Sequence, residues 1–173
     1  MCQGEMQKYF TLHIFNHRVV PLVFLFSTFL ISCSKDNSPE KQIENFVNKG
    51  AYIAEQRDLV GIRDLVSKNY KDEKQRDHRA IVQIATAYIW RYKNIHIYTK
   101  IKNFHFPDSM KAELQLYVAM ADLPILTAES LRDLKTRLYR FDLELDNEKG
   151  DWRISKASWW PATHEDFIEE ELM

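Results

Sequence analysis

Apolar positions along this chain follow three successive rhythms, each predicting a different kind of segment. Val19 to Ile31 (VVPLVFLFSTFLI) is an uncharged run of 13 residues. From Ile43 the spacing turns helical. Ile43, Phe46, Val47, Gly50, Ala51 and Ala54 form one stripe, and Ser38-Pro39-Glu40 supplies a hydroxyl N-cap, an early proline and a first-turn carboxylate. Arg57-Asp58 breaks that helix. Leu59, Ile62, Leu65 and Val66 predict a short second one, and Asp77 caps a third carrying Ile81, Ile84, Ala85 and Tyr88.

Near His96 the period falls to two. Ile95, Ile97, Thr99 and Ile101 share one face, and His96, Tyr98, Lys100 and Lys102 share the other. Pro107-Asp108-Ser109 reads as a turn. Ala112, Leu114, Leu116, Val118 and Met120 then alternate with Glu113, Gln115 and Tyr117, which makes a hairpin with the preceding strand. Ala121 to Arg132 has no clear period and fits a loop with a helical turn. Tyr139, Phe141, Leu143 and Leu145 alternate with Leu138, Arg140, Asp142 and Glu144 in a third strand, and Asn147-Glu148-Lys149-Gly150 gives the next turn. In the last strand Trp152 and Ile154 have one parity but Ala157 and Trp159 the other, so a β-bulge is expected between them. Helices followed by consecutive antiparallel strands predict an α+β domain, three helices packed on one face of a curved, mainly antiparallel sheet.

Composition sharpens the N-terminal boundary. The 13-residue run follows Lys8, His17 and Arg18, and as a helix it spans roughly 20 Å at about 1.5 Å per residue. A bilayer core is about 30 Å thick, so the segment reads as a secretion signal with a basic n-region and an apolar h-region. Leu30-Ile31-Ser32-Cys33, closing that region ahead of Ser34-Lys35-Asp36-Asn37, resembles the lipobox of bacterial lipoproteins. The resemblance implies cleavage before Cys33, lipidation of Cys33 and a membrane-held envelope protein; by analogy with Gram-negative sorting, Ser34 favours the periplasmic side of the outer membrane. The expected divisions are a signal peptide over 1–32, the lipidated Cys and linker over 33–38, the domain over 39–161 and an acidic tail over 162–173. Met6 is an alternative start to Met1. Loss of residues 1–32 removes Lys8, Arg18 and Glu5, taking the formal charge from −1 to −2.

That charge, with no nucleic-acid motif, argues against a nucleic-acid partner. The four glycines, Gly4, Gly50, Gly61 and Gly150, form neither a phosphate loop nor a dinucleotide fingerprint. His78, His96, His105 and His164 lack metal-ligand spacing, so no cofactor or metal is expected. Trp90, Tyr92, Trp152, Trp159 and Trp160 are expected to cap the core where helices meet sheet.

The helical stripe from Ile43 to Val66, the Ser67-Lys68-Asn69-Tyr70 exit, the capped third helix and the Gly150-Asp151-Trp152-Arg153-Ile154 strand entry together resemble the nuclear transport factor 2-like superfamily, over roughly Pro39 to Pro161. The resemblance implies a cone whose open end takes ligands or catalytic groups. Its enzymes typically place an Asp or His deep in the cone beside a Tyr or a second acid. Alternation from Ile95 carries Thr99, Asn103 and His105 onto the interior face, and with Trp90 these are the candidate pocket residues. His105 as base with Tyr139 and Tyr88 is the candidate catalytic set. No interior Asp is assignable, because Asp142 has the polar parity. Two readings stay open, a non-enzymatic domain binding a small apolar ligand or a protein, and an isomerase or dehydratase. A homodimer through the outer sheet face, where Tyr98 and Tyr117 fall, is a further expectation.

Overall fold

A computed structural model describes residues 38–168. The signal segment, Cys33 and the last five residues of the acidic tail lie outside the described residues. Three helices, α1 (Pro39–Glu55), α2 (Leu59–Leu65) and α3 (His78–Trp90), precede four strands, β1 (His96–Asp108), β2 (Lys111–Ala121), β3 (Thr136–Glu148) and β4 (Asp151–Pro161). The strands form one antiparallel sheet in the order β1-β2-β3-β4. Short 3-10 turns lie at Glu129–Arg132 and Glu165–Phe167. No helix among the described residues is long and apolar enough to cross a membrane.

Each helix begins on the cap its sequence offers. The Ser38 hydroxyl accepts from the Lys41 N–H, Asp58 from Val60 and Gly61, and Asp77 from Ala80. α1 ends with Arg57 in the left-handed region (φ 55°) and the Asp58 N–H donating to the Ile53 carbonyl, the six-to-one bond that closes orphan helix carbonyls. Gly61 is required by proximity, since a Cβ there would lie 2.7 Å from Asp58 Oδ2 and 2.9 Å from Ile53 Cγ2. Lys149 (φ 59°) and Gly150 (φ 95°) make the two-residue turn between β3 and β4, the positive-φ pair that suits right-twisted strands.

Two bulges set which residues face the helices. One falls where expected in β4: Glu144 pairs Lys156 while Leu145 pairs Ile154, leaving Ser155 as the extra residue, so Ile154 and Ala157 both point inward. The other is in β1, where Ile101 pairs Leu116 but Asn103 pairs Gln115. Lys102 is the extra residue, and beyond it the faces exchange. Phe104 and Phe106 join the core cluster of Ile43, Val47, Leu114, Leu145 and Trp152, whereas Asn103 and His105 are exposed. The interior placement expected for Asn103 and His105 is therefore corrected; unbroken alternation held only as far as Ile101.

Around Tyr98 and Tyr117 the outer sheet face is covered by the chain itself. Phe167, 2% exposed, lies against Tyr117 at 5.7 Å and Tyr98 at 6.3 Å between ring centroids, and Leu131 from the β2–β3 connection is fully buried in the same cluster. Lys100 Nζ donates to the Phe167 carbonyl at 3.0 Å. His164 Nε2 lies 3.1 Å from the Leu131 carbonyl, and Asp166 accepts from the Thr163 N–H and hydroxyl. The start of the acidic tail is thus a docked turn, and Tyr117, expected to leave aromatic surface, is 8% exposed.

Candidate functional site

Because directly opposed residues of antiparallel strands share a face, the register lays out the concave side of the sheet in rows. Ile101, Leu116, Phe141 and Trp159 form the deep row, Thr99, Val118 and Tyr139 the middle one, and Ile97, Met120 and Arg137 the outer one. Over them stand the small residues of α1 (Gly50, Ala51, Ala54) and the apolar face of α3 (Ile81, Ile84, Ala85, Tyr88, Ile89). Residues this small cannot reach the sheet. A cavity of about 330 Å³ remains between helices and strands, large enough to be a ligand site rather than a packing defect.

Its polar groups are few. The Tyr88 and Tyr139 hydroxyls hydrogen-bond at 2.9 Å across the cavity wall, from α3 to β3, and Thr99 lies on the row of Tyr139. Burial, followed by the neighbouring Tyr139 and Tyr92 hydroxyls, pushes the Tyr88 phenol well above its ordinary range. It stays protonated and acts as a donor, not a base. At the far end Tyr70 donates to Asp72 at 3.1 Å; burial and then that contact also raise the Tyr70 phenol.

Among the described residues lining the cavity, none is Asp, Glu, His, Lys or Arg. Two nearby carboxylates are engaged elsewhere. Glu55 accepts from the Ile97 N–H at 2.7 Å, closing a donor on the edge strand. Asp72 accepts from the backbone of Lys74 and Arg76, from Arg76 Nε at 2.6 Å and from Tyr70, and so folds the loop between α2 and α3. Arg76 lies over Trp159 at 4.6 Å, and Trp159 stacks on Phe141. These contacts brace this side of the wall.

Of the residues singled out in the sequence, Thr99, Tyr88 and Tyr139 line the cavity. Asn103 and His105 do not. His105 stands on the outer face opposite Glu113. Trp90 is 65% exposed at the end of α3 and is not among the lining residues. Tyr92, expected among the aromatics that cap the core, packs there; Arg137 carried no expectation. Tyr92 follows the helix, yet its ring packs on Tyr88 at 5.5 Å, and the Arg137 guanidinium lies 4.2 Å from the centroid of that ring. Arg137 has the parity of Tyr139, Phe141 and Leu143, a signal that was present in the chain.

No family model matches this chain, and no curated protein matches it. Solved structures do. A candidate scytalone dehydratase from Novosphingobium aromaticivorans superposes with a TM-score of 0.59 at 10% identity, over 72% of this chain and 84% of that one. A ketosteroid isomerase-like protein from Erwinia carotovora gives 0.54 at 8%, over 73% and 98%. An NTF-2 like protein of unknown function from Shewanella oneidensis gives 0.51 at 15%, over 70% and 98%. At such identities the likeness is one of fold, and that fold accommodates enzymes and proteins without assigned activity alike. Three helices over a strongly bulged four-stranded antiparallel sheet, enclosing an apolar cone, constitute the nuclear transport factor 2-like fold.

Proposed function

We propose that this chain is a membrane-tethered binding domain that takes a small, largely apolar ligand into the cone, held at the cell envelope by lipid on Cys33. The observation that carries the binding reading is the wall of the cavity: apolar side chains with hydroxyls as its polar groups, among them a Tyr88 phenol that burial keeps protonated. Such a wall favours a hydrophobic body carrying a hydrogen-bond acceptor.

The alternative, an isomerase or dehydratase, needs a base within reach of the reacting carbon. The Tyr88 phenol, held protonated by burial, is poorly suited to that role, and His105 is on the other face of the sheet. Proton exchange at the α-carbon of a bound ketone in deuterated buffer, followed by NMR, is the sensitive probe of such chemistry. The binding reading expects no exchange above the buffer rate, and exchange abolished by Tyr139→Phe would overturn it. The tether has its own test. Cys33→Ser is expected to abolish incorporation of a labelled fatty acid during expression, and undiminished incorporation would contradict it.

A further inference from the structure

The outer row of the concave face ends in a cation. Arg137 lies opposite Met120 in the sheet register, one alternation beyond Tyr139 on the same face, and the Tyr92 ring steadies its guanidinium. Stacking on a ring leaves the N–H edge of the plane available for a bidentate contact with an anion. A second, smaller hollow of about 140 Å³ opens here, bordered by Tyr92, Asn94, Asp122, Lys135 and Arg137. Met120 lines both this hollow and the apolar cone. The partition between them therefore includes an unbranched thioether, a side chain that moves with little cost. No carboxylate among the described residues forms an ion pair with Arg137 or Lys135.

We infer that the hollow is the head-group site for the ligand of the cone, and that the ligand is a single-chain amphiphile with a carboxylate head. This rests on the binding reading above and adds the class of ligand. Lys135, Arg137 and Asp122 together carry one net positive charge, which matches a carboxylate better than a doubly charged phosphate monoester. The Tyr88 and Tyr139 hydroxyls line the cone and not the hollow, on the side of the tail. The cone holds roughly ten methylene-sized groups at about 30 Å³ each, a medium-length chain.

Displacement of the neutral dye N-phenyl-1-naphthylamine from the purified full-length protein tests this, with decanoate, 1-decanol and decyl phosphate as competitors. Decanoate is expected to bind at least about tenfold more tightly than 1-decanol. Arg137→Ala should erase that preference, and Arg137→Lys should restore part of it. If the dye binds but decanoate shows no advantage over 1-decanol, or the advantage survives Arg137→Ala, the head-group assignment fails and the apolar cavity reading stands. Decyl phosphate binding more tightly than decanoate would overturn the single-charge match. Failure of the dye and all three competitors to bind would remove the cavity reading, and this inference with it.

Discussion

Asp72 shows how a buried charge is made tolerable at the edge of the cone. Burial by itself would raise its carboxyl; the backbone N–H of Arg76, the Arg76 guanidinium and the Tyr70 hydroxyl outweigh that and hold it below the usual carboxylate range. The group is therefore more acidic folded than unfolded. The stability it contributes is present above the unfolded value of about 3.9 and is lost as pH falls through the folded one. Asp72→Asn is expected to cost roughly 2–4 kcal/mol at pH 7, because Arg76 loses its charged partner. In urea melts across pH the gap between the two proteins should narrow below about pH 4. A gap independent of pH would show that the side chain acts through shape alone.

At the scale of elements, the bulges decide what the cone contains. Ser155 interrupts a strand whose apolar residues lie on either side of it, Ile154 before and Ala157 and Trp159 after, so the slip is written in the parity of large residues. Lys102 interrupts β1 between Ile101 and two polar positions. Continuing the odd-numbered alternation through Asn103 and His105 ran past the signal that mattered, the even-numbered Phe104 and Phe106. Helix starts were legible for a local reason: Ser38, Asp58 and Asp77 bond within three residues of themselves. The Tyr88–Tyr139 pair was legible as two interior tyrosines but not as a bond, since it joins elements 51 positions apart. The contact of Arg137 with Tyr92 joins the exit of α3 to the start of β3, which no local period encodes. The bulge at Lys102 is open to a direct check. Phe106→Ala is expected to cost roughly 2–4 kcal/mol through lost packing on Phe104 and Trp152, and His105→Ala to stay within about 0.5 kcal/mol. The reverse order in thermal melts would put the interior face back on the odd positions.

For the molecule as a whole, the two faces of the sheet are treated differently. Helices roof the concave side and leave space beneath them; on the convex side the chain's own Leu131 and Phe167 cover the patch around Tyr98 and Tyr117, while Trp160 stays 48% exposed. Pairing of two copies through the Tyr98–Tyr117 patch itself would require this cover to move. Phe167→Ala is expected to destabilise the domain by roughly 3–5 kcal/mol and to shift size-exclusion elution toward a dimer as Tyr98 and Tyr117 become accessible. A destabilised protein that stays monomeric would show that the cover is structural and nothing more.

The cavity is the centre of the account, and filling it is the most direct test. Ala51 on α1 faces the void, so Ala51→Phe should occupy it without displacing a neighbour. Dye binding to the full-length protein, measured beside the melting temperature, should fall at least about tenfold while the melting temperature holds or rises, since an added ring fills empty space. Undiminished dye binding by a stably folded Ala51→Phe protein would contradict the claim that the cone is where this chain takes its ligand.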